Sequence, residues 1–349
     1  MPTTCSFRRY ENATAARSRP GAAGVRPFKD RNLKTSRKKF KPVSSRGLKT
    51  YSIRDRLSKV SVGDFAGVPR KGGGFKDFLD TLPGILAARD FKEVVAAVRG
   101  AHENGKTVAL GMGAHVIKVG VGPLIIDLIE RGVIDAVAMN GACVVHDFET
   151  AFAGCTSEDV DSVLTSGAFG MAEETGRMLN QAIKKGAVSG LGRAVGEMIE
   201  RSRFPYKDKS ILAAGARCGI PVTVHVALGT DILHIHPQMD AGATGEASMR
   251  DFRLFSSVVA ALERGVYLNV GSAVILPEVF LKALTLVRNL GHRVENFSTV
   301  NMDFIQGYRP LTNVVRRPTE GGTGKGYRLT GHHEIMVPLL YAALIEAGC

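Results

Sequence analysis

The chain has 349 residues, 44% of them hydrophobic, and carries 46 lysines and arginines against 33 acids, a formal net charge of +13. Residues 1–59 hold 17 of the basic residues and only Glu11, Asp30 and Asp55 as acids, so the body is near neutral and charge alone does not argue for a nucleic-acid-binding protein. No run approaches the roughly 20 apolar residues of a membrane span, and the five cysteines (Cys5, Cys143, Cys155, Cys218, Cys349) form no CxxC pair, which excludes a disulfide scaffold and fits a reducing cytoplasm.

In chain order, residues 1–48 read as a basic, disordered extension, rich in Arg, Lys, Ser, Pro and Ala and lacking apolar periodicity. Such a composition is shared by transit presequences and solvated tails, and any contact with RNA or an anionic membrane would lie there. Residues 49–349 form the folded domain. An arm over 50–65 leads to a Pro/Gly break at 69–74, and helical periodicity runs over 75–86 and 91–104. The apolar run 108–110 then breaks into a turn carrying Gly111, Gly113 and His115. A helix over 123–130 and a second apolar run over 134–139 follow, the run breaking at Asn140–Gly141–Ala142. Helices are expected over 157–164, 171–185, 192–202 and 209–218. A strand over 222–228 breaks at Gly229–Thr230–Asp231. After it come a helix over 252–264, a strand over 266–270 ending at Gly271–Ser272, a helix over 277–290, a strand over 295–302 and a closing helix over 332–347. This rhythm predicts an α/β fold, a doubly wound and mostly parallel sheet with helices on both faces. Ligands of such sheets bind at the C-terminal ends of the strands, where the glycine turns fall.

The residues taken singly leave alternatives open. Gly111 and Gly113 are not a dinucleotide fingerprint, because the third glycine of GxGxxG falls at Val116 and no acid follows to hold a ribose. Glycines at four strand ends (Gly111, Gly141, Gly229, Gly271) would nonetheless suit close backbone approach to a large flat ligand. Cys143, in the second glycine turn, reads as a small loop filler. His234 and His236, on a strand, would put two imidazoles on one face, with His225, His332 and His333 as further ligands, but no carboxylate pattern accompanies them. Asp231 suits either a helix cap or a cationic substrate. Lys325, between glycines in the loop 316–327, suits phosphate binding, amine chemistry or a solvated loop, and GxxxxGK[ST] is not satisfied.

Six ordered segments, GMGAHVIKVG (111–120), AMNGACVVHDFE (138–149), TSEDV (156–160), VHVALGTDILHIHP (224–237), LNVGSAV (268–274) and RPTEGGTGKG (317–326), together resemble the deoxyhypusine synthase family, in its bacterial deoxyhypusine synthase-like branch. The resemblance covers about six-sevenths of the chain. It implies a Rossmann-like homotetramer that uses NAD to oxidise spermidine and passes the aminobutyl group through a lysine imine to an acceptor amine, a protein lysine of a translation factor. A desolvated lysine is a competent nucleophile toward an imine, and NAD carries the hydride chemistry. Carried over by position, the catalytic lysine is Lys325. The NAD loops are His115, Val116, Ile117, Lys118 and Val119, then Asn140, Gly141 and Ala142, then Gly271 and Ser272, with Lys118 pairing the pyrophosphate. The polyamine aspartate is Asp231. The family's paired glutamates are Val145 and His146 here, followed by Asp147, and its polyamine histidine is Pro277, followed by Glu278. His146, Asp147 and Glu278 are thus the expected further substrate contacts, and these exchanges point to a different or shorter amine. No metal is implied.

Three rival readings follow. Homospermidine synthesis would use putrescine as the acceptor. A metal-dependent hydrolase would use His234, His236 and Asp231. A nonenzymatic NAD- or RNA-binding homologue would rely on the basic extension.

Overall fold

The computed structural model describes residues 38–349, so the expectations for the basic extension fall mostly outside the described residues. The chain separates into a unit ending at Leu57 and a unit from Ser58 to Cys349. In the first, the described residues are exposed, with one 3-10 turn at Ile53–Asp55 capped by the Ser52 side chain.

The second unit is built on six strands: β1 (Val108–Met112), β2 (Ala136–Asn140), β3 (Val222–His225), β4 (Val266–Val270), β5 (Ser298–Asp303) and β6 (Gly326–Thr330). They pair in the order β3-β2-β1-β4-β5-β6, and every pairing is parallel. This is a Rossmann-like doubly wound sheet whose order reverses between β1 and β4. Strands β1, β3 and β4 are buried along their whole length, as a sheet covered on both faces requires.

The period of two decides which core each side chain joins. Val108, Leu110 and Met112 enter the larger core with Val137, Met139, Val222 and Val224. Ala109, Ala136, Ala138 and Tyr267 enter the smaller one with Phe255, Phe280 and Leu284. Gly111 belongs to this second face. A Cβ there would fall inside the Tyr267 hydroxyl, whose ring stacks on Phe280 at 3.9 Å between centroids.

The helices are α1 (Phe75–Thr81), α2 (Leu86–Glu103), α3 (His115–Lys118), α4 (Gly122–Glu130), α5 (Gly141–Ala153), α6 (Val160–Val163), α7 (Glu173–Gly186), α8 (Leu191–Arg201), α9 (Ile211–Cys218), α10 (Ala241–Ala260), α11 (Ile275–Asn289), α12 (Tyr308–Pro310) and α13 (His333–Glu346). No described helix is long and apolar enough to cross a membrane. Local chemistry sets the ends. Asn140 caps α5 by accepting from the Cys143 N–H at 3.1 Å, and Gly154 ends it at φ 73°. Asp240 caps α10 through the Ala243 N–H, which starts that helix well before residue 252. Its first half, AGATGEASMRD, has no apolar stripe to announce it.

Three elements differ from expectation in ways that matter below. Cys143 is not in a loop but inside α5, fully buried. The triplet 234–236 is not a strand, because β3 ends at His225 and Ile232–Ile235 form a 3-10 turn. An edge strand, β6, begins directly after Lys325, alternating buried Tyr327 and Leu329 with exposed Arg328 and Thr330.

The β1 and β4 ends are locked together. The Gly113 N–H donates to Val270 C=O at 3.0 Å, and a Cβ on Gly113 would fall inside the Gly271 carbonyl. Gly113→Ala is therefore expected to lose about 1–3 kcal/mol or more of stability. Gly100→Ala, in the interior of α2 with open space where the methyl would go, is expected to gain about 0.5–1 kcal/mol. Urea midpoints check the pair, and equal effects would contradict this packing.

Candidate functional site

Because all strands are parallel, their C-terminal ends share one edge. Met112, Asn140, His225, Val270 and Asp303 end the first five strands there. The loops at 115–119, 140–142 and 271–272 follow β1, β2 and β4, so the topology brings the expected NAD loops to one edge. Asp231 and His146 join them.

A cavity of about 190 Å³ opens there, lined among others by Lys118, His146, Glu149, Glu158 and Asp231, with Ala142, Val145, Phe169 and Ile232 as apolar wall. Lys118 comes from α3, and His146 and Glu149 from one face of α5, three residues apart. Asp231 caps the turn after β3 and lies over Gly141, where a Cβ would fall inside the carboxylate. Burial raises its carboxyl above the usual range, partly offset by His234 and Thr230. The Nδ1 of His146 lies 2.7 Å from the Thr156 hydroxyl, which donates to Glu149 Oε2 at 2.5 Å. Thr175 donates to the other Glu149 oxygen at 3.1 Å. Burial lowers the His146 imidazole, Glu149 raises it and Lys118 lowers it, which puts all three within electrostatic reach of one another. Glu158 accepts from the Gly170 N–H at 2.9 Å, which pins the segment after Ser157, a residue held at φ 72°. Three carboxylates beside an apolar wall suit a short alkyl cation: methylenes on the wall, ammonium groups on the acids.

Three expected site residues do not join this cavity. Asp147 points the other way on α5. It is buried, hydrogen-bonded to the Ser210 hydroxyl, and accepts from the Ile211 and Leu212 N–H groups at 2.8 and 3.3 Å, so it tethers the start of α9 instead of touching a substrate. Glu278, in the first turn of α11, is already neutralised by Lys282 and Arg309 and bonded to Asn313. Lys325 stands at the opposite edge. It precedes β6, whose first residue pairs with the start of β5, and its ammonium is bound to Glu93 of α2. It lies roughly 16 Å below the C-terminal edge along the strand, and across the sheet from β3 by five spacings of about 4.8 Å. Within one chain it cannot reach a substrate held by Asp231.

The glycines at the strand ends are required by protein atoms. Gly111 makes room for Tyr267, Gly113 for Gly271, Gly141 for Asp231 and Gly271 for His333, whereas Gly229 is needed for its φ of 92°. None of them needs a flat ligand to account for it. At 140–142 a dinucleotide does not fit: the Asn140 side chain is used as a helix cap and the Asp231 carboxylate already sits over Gly141. At the β1 and β4 ends His115, Ile117, Val119 and Gly271 are partly exposed, Lys118 is exposed and none carries a negative charge, so they are open to a dinucleotide, whereas Val116 and Ser272 are buried and do not face one.

The histidines of the triplet are engaged separately. His234 Nδ1 accepts from the N–H groups of Gly229 and Asp231, both at 3.1 Å, and His236 is buried beside Glu173. No group of three or more His, Cys, Asp or Glu side chains is arranged for a metal ion among the described residues. Glu149 and Glu158 line the cavity without being among the expected contacts. The three-residue step from His146 to Glu149 was the available signal, hidden because 141–153 did not read as a helix.

No family model matches the chain, and no curated protein matches it. Solved structures share the course of its backbone at low identity. The chain is similar to ArgZ, a cyanobacterial arginine dihydrolase of the ornithine–ammonia cycle (15% identity, TM-score 0.49, 77% of this chain and 33% of that one). It is similar to AgrE in its ternary complex with ornithine and NAD+ (17%, 0.48, 76% and 34%). It is similar also to a candidate deoxyhypusine synthase from Entamoeba histolytica (12%, 0.47, 79% and 94%). The chain thus spans about a third of the ArgZ and AgrE chains.

Burial pushes the Asp147 carboxyl up to about 6, against its three donors. A carboxyl raised on folding binds its proton more tightly in the native state. Its contribution is therefore full below about pH 4 and lost as pH rises through about 6. The stability of the wild type relative to Asp147→Asn is expected to fall by up to about 3 kcal/mol over that window. Urea midpoints at several pH values check this, and a pH-independent difference would contradict it.

Proposed function

We propose that the chain is an NAD-dependent enzyme of the deoxyhypusine synthase type that acts on a small cationic amine. In this reading it oxidises spermidine or a shorter polyamine and moves the aminobutyl group through a lysine imine to an acceptor amine, a protein lysine, as a cytoplasmic homotetramer. The observation that carries the reading is the cavity at the C-terminal edge, where Glu149, Glu158 and Asp231 converge beside an apolar wall.

Each residue has a task in this reading. Asp231, half-buried and covering Gly141, holds one ammonium. Glu149, fixed by Thr156 and Thr175, and Glu158, fixed by Gly170, hold the other end of the amine. Val145, Phe169 and Ile232 enclose the methylenes and keep water from them. NAD, held at 115–119 and 271–272, supplies the hydride acceptor when bound. The imine-forming lysine is Lys118, which lines the cavity, in place of Lys325, which faces Glu93 on the far edge. Lys118 Nζ bonds the oxidised carbon, and the departing amine leaves with the nitrogen it brought. The pyrophosphate role expected for Lys118 is given up in this reading.

Mass spectrometry of products after incubation with NAD and a panel of polyamines tests the proposal. The expected result is cleavage of spermidine to diaminopropane that depends on NAD, and absence of any amine-dependent product would reject it. Asp231→Asn is expected to raise KM for the amine about 10-fold or more, the worth of a charge-assisted contact. Lys325→Ala is expected to leave kcat within about 2-fold, the scale of a half-exposed ion pair remote from the site.

A further inference from the structure

A second cluster lies on the same edge, over β1, β4 and β5. His115 begins α3, Asp303 ends β5 and His333 begins α13. The Nδ1 atoms of His115 and His333 lie 2.9 Å apart, and Nε2 of His333 lies 3.6 Å from Asp303 Oδ1. His333 is fully buried and Asp303 nearly so, whereas His115 is partly exposed. Gly271 belongs to the same construction, since a Cβ there would come within 2.9 Å of the His333 ring. Phe304 covers the cluster, its centroid 5.6 Å from His115 and 5.7 Å from His333, and its N–H donates to Asp303 Oδ1 at 2.8 Å.

The geometry fixes the protons. One Nδ1 must donate to the other. The Asp303 carboxylate beyond Nε2 of His333 favours the N–H on that nitrogen, so Nδ1 of His333 is left as the acceptor. The shared proton then sits on Nδ1 of His115. Its Nε2 keeps a free lone pair, which no hydrogen bond engages among the described residues.

We infer that His115, His333 and Asp303 form a proton relay in which Nε2 of His115 is the catalytic base and the other two are positioning residues. Resting on the amine reading above, the step is as follows. The substrate ammonium gives one proton to Nε2 of His115, which becomes imidazolium. The neutral amine keeps the electron pair that drives oxidation at its carbon. The new charge is stabilised through His333 by the Asp303 carboxylate, and the proton later leaves to solvent from the exposed side of the ring. Lys118, one turn further along α3, lines the amine cavity, so one short helix carries both the base and the proposed nucleophile. The charged groups facing His333 are Asp303 from β5, His115 from α3 and Glu334 from its own helix. Burial and the neighbouring His115 lower its imidazole, and Asp303, a hydrogen bond to the Met302 backbone and Glu334 raise it.

Three measurements test the relay on the full-length protein. His115→Gln is expected to lower kcat about 10²–10⁴-fold, the worth of a general base. Asp303→Asn is expected to shift the acid limb of the kcat/KM profile to lower pH, because removing the carboxylate makes the relay less basic. A drop in rate with the limb unmoved would mean a merely structural role and would overturn the inference. Ring 15N spectra of the unliganded protein, assigned with the His115→Gln and His333→Asn variants, are expected to show the Nδ1–H tautomer for His115 and Nε2–H for His333. The reverse tautomers would also overturn it. These spectra need no substrate, so they decide the relay even if no amine is turned over.

Discussion

The parallel direction of all six strands is the constraint on which everything else depends. Parallel pairing sends every strand end of one kind to the same edge, and the reversal of order between β1 and β4 opens that edge to a ligand. His115, Asn140, His146, Asp231, Gly271, Asp303 and His333 come from positions spread over more than half the chain, yet they share one edge. Lys325 is excluded from it by the same rule, since it precedes its strand instead of following it.

The edge is held rigid by backbone packing and buried carboxylates rather than by long side chains. Gly113 against the Gly271 carbonyl and Gly141 under Asp231 leave no room for side chains, so the loops approach one another through backbone. Asp147 ties α5 to the start of α9, and Asp251 of α10 accepts from Gly192 and Val224, joining α8 to β3. Burial pushes the Asp251 carboxyl up to about 7 against these N–H groups. Each such acid costs desolvation and returns a fixed position for a neighbouring element. The cavity acids differ from these: Glu149, Glu158 and Asp231 border open space.

Much of this was legible in the sequence. The strands at 108–112, 136–140 and 266–270 announce themselves as apolar runs ended by glycine or asparagine, and the parallel sheet follows from their spacing. The position of Asp231 and His146 on one cavity is consistent with the order of segments. What the sequence withheld was direction. His146 and Asp147 are adjacent, but a helix sends the first into the cavity and the second into the core. Lys325 looked like a loop lysine because β6, a half-exposed edge strand with Arg328 and Thr330 outward, has no continuous apolar run. The contact between His115 and His333 was hidden for a different reason: 218 residues separate them, and only the closing of β5 and β6 onto the sheet brings them together.

We propose amine chemistry at the C-terminal edge and not around Lys325. Borohydride trapping with NAD and labelled spermidine, followed by peptide mapping, separates the two sites. Label is expected on the peptide carrying Lys118, and label on the peptide carrying Lys325 would overturn the proposal.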